Sequence, residues 1–235
     1  GLGSVLYDIS QDYVVDATLE YVHSSERDLA RKHISKLESL DLIENSLIIF
    51  DRGYFSTDMF NFLVDAGCSC LMRIKKSTTS LTGAEEDDIV LDSAKYHANI
   101  RVVQVELSTG EIEYLVTNIL DPNITPEMLK KLYHKRWKIE SKYYELKEHW
   151  ELEQFNGATS RSIEQELFIT LTKSNFCSII KNEADRRIDL QSTGKETKKY
   201  QSTRSHLIGR LAVLFPMYLT GQAVNTTLED LVMEG

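Results

Sequence analysis

The stretch Leu129–Trp150, LKKLYHKRWKIESKYYELKEHW, constrains this chain most, because its pattern admits only a helix. It contains neither Gly nor Pro, and Leu132, Ile139, Tyr143, Leu146 and Trp150 recur on one inward stripe. Beside that stripe run Tyr133, Arg136, Glu140 and Lys147, at offsets 0, 3, 7 and 14. At roughly 100° per residue they fall within about 60° of arc. A phenol, a guanidinium, a carboxylate and an ammonium are thus expected in one row, at the edge of a buried face where a cleft wall stands. The ordinary reading of such a row is a solvated face with an Arg136–Glu140 ion pair. A second signal upstream favours a site instead.

That signal is Ser46–Tyr54, SLIIFDRGY. The apolar run Leu47–Phe50 reads as a buried strand that ends abruptly in Asp51. Gly53 is expected to permit a tight turn, and Ser56 to cap a helix running to Ala66. An acid at the carboxyl end of a buried strand faces the crevice where open α/β sheets bind ligands. The competing reading is an Asp that merely shapes the loop.

Taken together, Asp51-Arg52-Gly53-Tyr54 and the downstream Tyr133-x2-Arg136-x3-Glu140-x6-Lys147 resemble the bacterial insertion-sequence transposases of the DDE type. The resemblance runs from about Leu6 to the helix expected over Arg204–Leu219. It implies an α/β fold with a ribonuclease-H-like core, a β-rich insertion near residues 75–120 and C-terminal helices, the whole of residues 1–235 forming one catalytic domain. It implies cut-and-paste chemistry: water attacks a transposon-end strand, and the freed 3′ hydroxyl attacks target DNA. Asp51 and Glu140 are then the catalytic, metal-ligating acids, and Tyr133, Arg136 and Lys147 lie on DNA. The implied cofactor is Mg2+, with Mn2+ as an alternative. The implied partners are double-stranded DNA, both transposon ends and target, and a second copy of the chain in the DNA complex, in a bacterial cytoplasm with no membrane.

The residue types suit that chemistry. Two divalent ions about 3.5–4 Å apart ionise water and neutralise the charge that develops on phosphorus, and carboxylates are their natural hard ligands. Arg136 suits bidentate contact with a phosphate, and Lys147 a more mobile one. The family carries a third acid on a strand further upstream. No residue stands at the matching position, and Asp8 and Asp16 qualify by chemistry alone. Gly1-Leu2-Gly3-Ser4 does not read as a native start, so the expectation is a fragment short of one acid and unable to cut DNA. The competing function is a non-catalytic, truncated product that binds DNA or pairs with and inhibits an intact transposase.

The remaining chain sets bounds. A formal charge of -9 over 235 residues argues against DNA binding over the whole surface. Seven Lys/Arg between Lys130 and Lys147 stand against only two acids, and eight against four over Lys181–Arg210, which suits docking at chosen faces. No apolar run is long enough to span a membrane. Cys68, Cys70 and Cys177 are odd in number, lack zinc spacing and read as structural thiols. A strand is expected over Tyr13–Tyr21, and a helix from Ser24/Ser25 to Leu40. A further strand is expected over Cys68–Ile74. Residues 75–80 and 83–88 read as loop, and 99–107 with 111–118 as a hairpin. Tyr96, His97 and Tyr114 read as strand packing. Thr125 and Pro126 open the signature helix. A long helix over Arg161–Ile188 is expected to bury Ile163, Leu167, Phe168, Leu171, Phe176 and Ile179. Residues 189–201 read as a polar linker before the last helix, which Pro216 should bend or end.

Overall fold

The structure, a computed structural model, describes residues 2–82, 86–191, 204–222 and 230–231. The chain divides into two compact units: residues 1–4 with 18–137, and residues 5–17 with 138–235. An opening two-stranded hairpin, β1 (Leu2–Asp8) and β2 (Tyr13–Glu20), contributes to both.

The first unit is a mixed α/β layer. Its sheet has the order β3 (Leu47–Phe50), β4 (Ser69–Ile74), β7 (Ile112–Thr117), β6 (Ile100–Glu106), β5 (Asp88–Leu91). β3 and β4 are parallel, joined through helix α2 (Thr57–Asp65), and every other pairing is antiparallel. Local signals explain the boundaries. Ser25 caps α1 (Glu26–Ser39) by accepting from the Asp28 N–H, and Ser56 caps α2 by accepting from Met59. Gly110 takes a φ of +81° in the β6–β7 turn, a conformation that favours glycine. Thr125 caps α4 (Pro126–His134), with Pro126 in its first turn. α4 lays Leu129 and Tyr133 onto a core of Leu71, Val103, Val105 and Leu115 from three strands.

Residues 75–120 hold more regular structure than their polarity suggests. A single helical turn, α3, covers Thr79–Thr82, and Asp88–Leu91 forms strand β5 on β6. Arg101 of β6 fixes that edge with two hydrogen bonds to Asp88, at 2.8 and 2.6 Å. Tyr96 packs edge-on against Phe60, while His97 is held by Asp65 at 2.8 Å.

The second unit is helical: α5 (Lys138–Glu148), α6 (Ser160–Gln191) and α7 (Arg204–Leu219). Its core joins Cys177 and Ile180 of α6 to Leu207, Ile208, Leu211 and Leu214 of α7. The expected apolar face of α6 is corrected in part: Leu167 and Leu171 are buried, but Phe168, Phe176 and Ile179 are exposed. The inward face is instead lined by Ser174, Cys177, Ser178 and Ala184, all buried. Two of these are serines with polar partners, which apolar periodicity alone does not reveal. Pro216 lies inside α7, which ends three residues later. Of the expected linker, Asp189–Gln191 belong to α6 and residues 192–201 lie outside the described residues. The three cysteines are buried free thiols. No helix among the described residues is long and apolar enough to cross a membrane.

Candidate active-site acids and their surroundings

Asp51 is the first residue past β3, where the strand stops and the main chain turns. The turn is closed by the Tyr54 N–H donating to the Asp51 carbonyl at 3.1 Å. Gly53 has an ordinary φ and open space around it, which corrects the expectation that its conformational freedom makes the turn. Arg27 of α1 braces the loop instead, donating to the Gly53 carbonyl at 3.1 and 2.8 Å and to Phe55 at 3.3 Å.

The Asp51 carboxylate remains 48% exposed. Its Oδ1 accepts from the Arg52 N–H at 2.7 Å and from the Tyr133 hydroxyl at 3.1 Å, and Arg136 Nη1 stands 3.8 Å from Oδ2. Burial pushes the group upward, but the Arg52 N–H, Arg136, Tyr133 and Arg73 outweigh it and hold it below the ordinary aspartate range. Asp51 is therefore ionised near neutral pH, with lone pairs still facing solvent. Tyr133 has its ring in the core and its phenol pushed well up by burial and by the Asp51 charge. The Arg136 guanidinium lies over the Tyr133 and Trp137 rings, 5.8 and 5.1 Å from their centroids.

The signature helix is not continuous. After α4 the chain tightens into a 3₁₀ turn at Lys135–Trp137 before α5 begins. The division between units falls after Trp137, so Tyr133 and Arg136 belong to the first and Glu140 and Lys147 to the second. The expected row of four thus spans the division, two residues in each unit. Glu140 and Lys147 both lie on the exposed side of α5, and Lys147 pairs with Glu153 at 2.7 Å.

Beside Asp51 lies a feature that sequence reasoning missed. A cleft of about 310 Å³ is lined by Arg52, Arg73, Lys75, Lys76 and Tyr114, among others, with Glu113 at its wall. Arg73 Nε meets Glu113 Oε1 at 3.1 Å, while Glu113 Oε2 is buried with no hydrogen-bond partner among the described residues. The available signal was Lys75-Lys76 directly after the β4 end. A divalent cation suits the ionised, solvent-facing Asp51, but no group of three or more His, Cys, Asp or Glu among the described residues is arranged to hold one.

A family model described as the transposase DDE domain matches residues 4–176. The chain belongs to that family. No curated protein matches the sequence. Among solved structures, a cryo-EM structure of the piggyBac transposase synaptic complex with hairpin DNA is similar over 98% of this chain, with a TM-score of 0.53 and 10% identity. At that identity the likeness is one of fold. This chain spans about half, 50%, of the piggyBac chain.

Proposed function

We propose that this DDE-family chain carries the metal-dependent DNA-cutting and strand-transfer centre of a cut-and-paste transposase, built on a ribonuclease-H-like core. The reading places it in a bacterial insertion-sequence element, in the cytoplasm, with Asp51 and Glu140 as the metal-ligating catalytic acids. The observation that carries it is the Asp51 carboxylate itself. It sits at a strand end, is ionised and half-exposed, and is braced by the Arg52 N–H, Tyr133 and Arg136 without being sealed.

Divalent Mg2+ or Mn2+, when bound, would supply ionised water and charge neutralisation at the phosphate. The chain's own residues do the rest. Arg136, its guanidinium beside two aromatic rings, offers N–H donors to a phosphate near Asp51. Arg52, Arg73, Lys75 and Lys76 give the neighbouring cleft the charge to track a DNA backbone. Lys147, half-exposed, adds a mobile charge on α5. Tyr133 orients Asp51 through its hydroxyl, and its contact with DNA requires that bond to open. The partners are double-stranded transposon ends and target DNA, and a homodimer in the DNA complex.

The test is nicking of a duplex bearing the element's ends by the intact protein with Mg2+. Asp51→Asn and Glu140→Gln should each abolish nicking while leaving duplex binding in place. Nicking that survives both substitutions would overturn the reading.

A further inference from the structure

Within the second unit lies a group of charges that the proposed chemistry does not use. Arg204, at the start of α7, donates from Nη2 to Glu145 Oε1 at 2.9 Å and to Ser178 Oγ at 2.9 Å. It also pairs through Nη1 with Asp12. The same Glu145 oxygen accepts from Ser174 at 3.0 Å and Trp150 Nε1 at 3.1 Å, and Lys142 Nζ lies 3.4 Å away. Lys142 also donates to the Asp12 carbonyl at 3.3 Å. Asp12 closes the hairpin turn with a φ of +59°, a region non-glycine residues avoid, and Tyr7 donates to its carboxylate. Lys142 and Ser178 are buried, and Glu145 is 12% exposed. Two cations and two anions thus meet here, Lys142 buried and Asp12 still 34% exposed.

Ser178 and Lys142, 3.3 Å apart, superficially suggest a nucleophile with its base. Ser178 is fully buried and directs its proton to the Asp12 carbonyl, so no substrate reaches it. Apolar residues of similar size would also fill this space, often without loss of stability. What a charge network adds is direction, because each hydrogen bond accepts only one geometry.

Helix α5 has unusual need of direction. Leu146 is its only apolar residue buried outright, since Ile139 and Tyr143 are half-covered. One buried leucine does little to resist rotation of a helix about its axis. On a helical wheel Lys142, Glu145 and Leu146 fall within about 100° of arc, and Glu140 and Lys147 lie on the opposite side.

We infer that the Asp12–Arg204–Glu145–Lys142 network sets the rotation of α5 and thereby the face on which Glu140 and Lys147 are presented. Arg204 and Glu145 are positioning residues in this account: neither touches substrate, and both act through Glu140. The inference rests on the proposed function for its catalytic consequence, but the rotation of α5 can be read without it.

The test uses the intact protein and the pair Glu145→Leu/Arg204→Met, which removes one anion and one cation of the network together. Should that pair not fold, Glu145→Gln takes its place. Two single cysteines report the rotation by their alkylation rates: Leu146→Cys on the buried side, and Tyr144→Cys at a position 64% exposed in the native protein. With the network broken and cooperative unfolding retained, the cysteine at 146 should react about tenfold faster and the one at 144 more slowly. Nicking kcat should fall about tenfold or more, as a misplaced catalytic group does, with DNA affinity within roughly threefold. Both cysteines reacting faster would mean general loosening, and an unchanged pattern would mean apolar packing suffices; either overturns the inference. If Glu140→Gln leaves nicking intact, the functional reading fails, and the opposed alkylation rates still decide the rotation.

Discussion

Asp51 and Glu145 are both carboxylates facing a guanidinium, and the contrast between them separates a reactive site from a scaffold. Asp51 is half-exposed, with Arg136 held off at 3.8 Å and, among the described residues, two hydrogen bonds, both on one oxygen. Glu145 is nearly enclosed, with Arg204, Ser174 and Trp150 donating to Oε1 and Arg204 Nε paired with Oε2, so both oxygens are engaged. Both are held below their ordinary range despite burial that pushes them up. The surroundings of Glu145 consume its lone pairs, whereas those of Asp51 keep it charged and leave an oxygen open. A carboxylate meant for a metal or a phosphate needs the second arrangement; one meant to lock helices needs the first.

The sharpest way to break this contrast is to neutralise each acid. Asp51→Asn should lower Mg2+-dependent nicking by roughly 10³-fold or more, the scale expected for a group acting in the transition state. Its unfolding midpoint in urea should scarcely move, because a half-exposed pair held at 3.8 Å contributes little. Glu145→Ala should do the reverse in stability. Arg204 then keeps Asp12 as its counter-charge while Ser174 and Trp150 lose their acceptor, which should cost about 1–3 kcal/mol, read from urea unfolding. Equal destabilisation by the two substitutions would erase the distinction.

Acid titration sharpens it further. A carboxylate held below its ordinary value in the folded state contributes stability that is fully present above that value, roughly pH 4, and lost as pH falls through the folded one. Glu145 should therefore steepen the acid limb of the stability curve, and Glu145→Gln should flatten it. Asp51 has the same sign and, being half-exposed, a smaller share. Lys142, whose ammonium is disfavoured by burial and by Arg204, stays protonated throughout that window and leaves the limb unchanged. The smallest effect belongs to the DNA contacts. Arg136→Ala or Lys147→Ala should weaken duplex binding at all sequences and reduce the salt slope by about one counterion, measured by titration at several salt concentrations.

What the sequence revealed and what it hid follow from the range of the interactions. Strand β3, helices α1 and α2 and the β6–β7 hairpin were legible because Ser25, Ser56, Gly110 and short apolar runs mark them within a few residues. The strand-end position of Asp51 was legible because a short apolar run stops at a lone acid. Strand β5 was hidden, since DIVL is only four residues long and is fixed by Arg101, thirteen residues on. The 3₁₀ turn at Lys135–Trp137 carries neither Gly nor Pro, so nothing local announces that the signature helix divides there. The lock on α5 was the least legible of all. Arg204 meets Glu145 across 59 residues, and a Lys and a Glu three apart on a helix look like surface. Lys142 was accordingly counted with a basic strip meant for DNA, yet it is buried and adds nothing to that surface.

The central claim is that Asp51 and Glu140 ligate divalent metal, and iron substitution tests it most directly. Fe2+ loaded in place of Mg2+, with ascorbate and peroxide, cleaves a polypeptide backbone next to wherever the ion is held. The account predicts cuts beside residue 51 and beside residue 140 in the intact protein. Mg2+ should suppress both, and Asp51→Asn should abolish the first. Cuts confined to other parts of the chain, or unaffected by Mg2+, would contradict it.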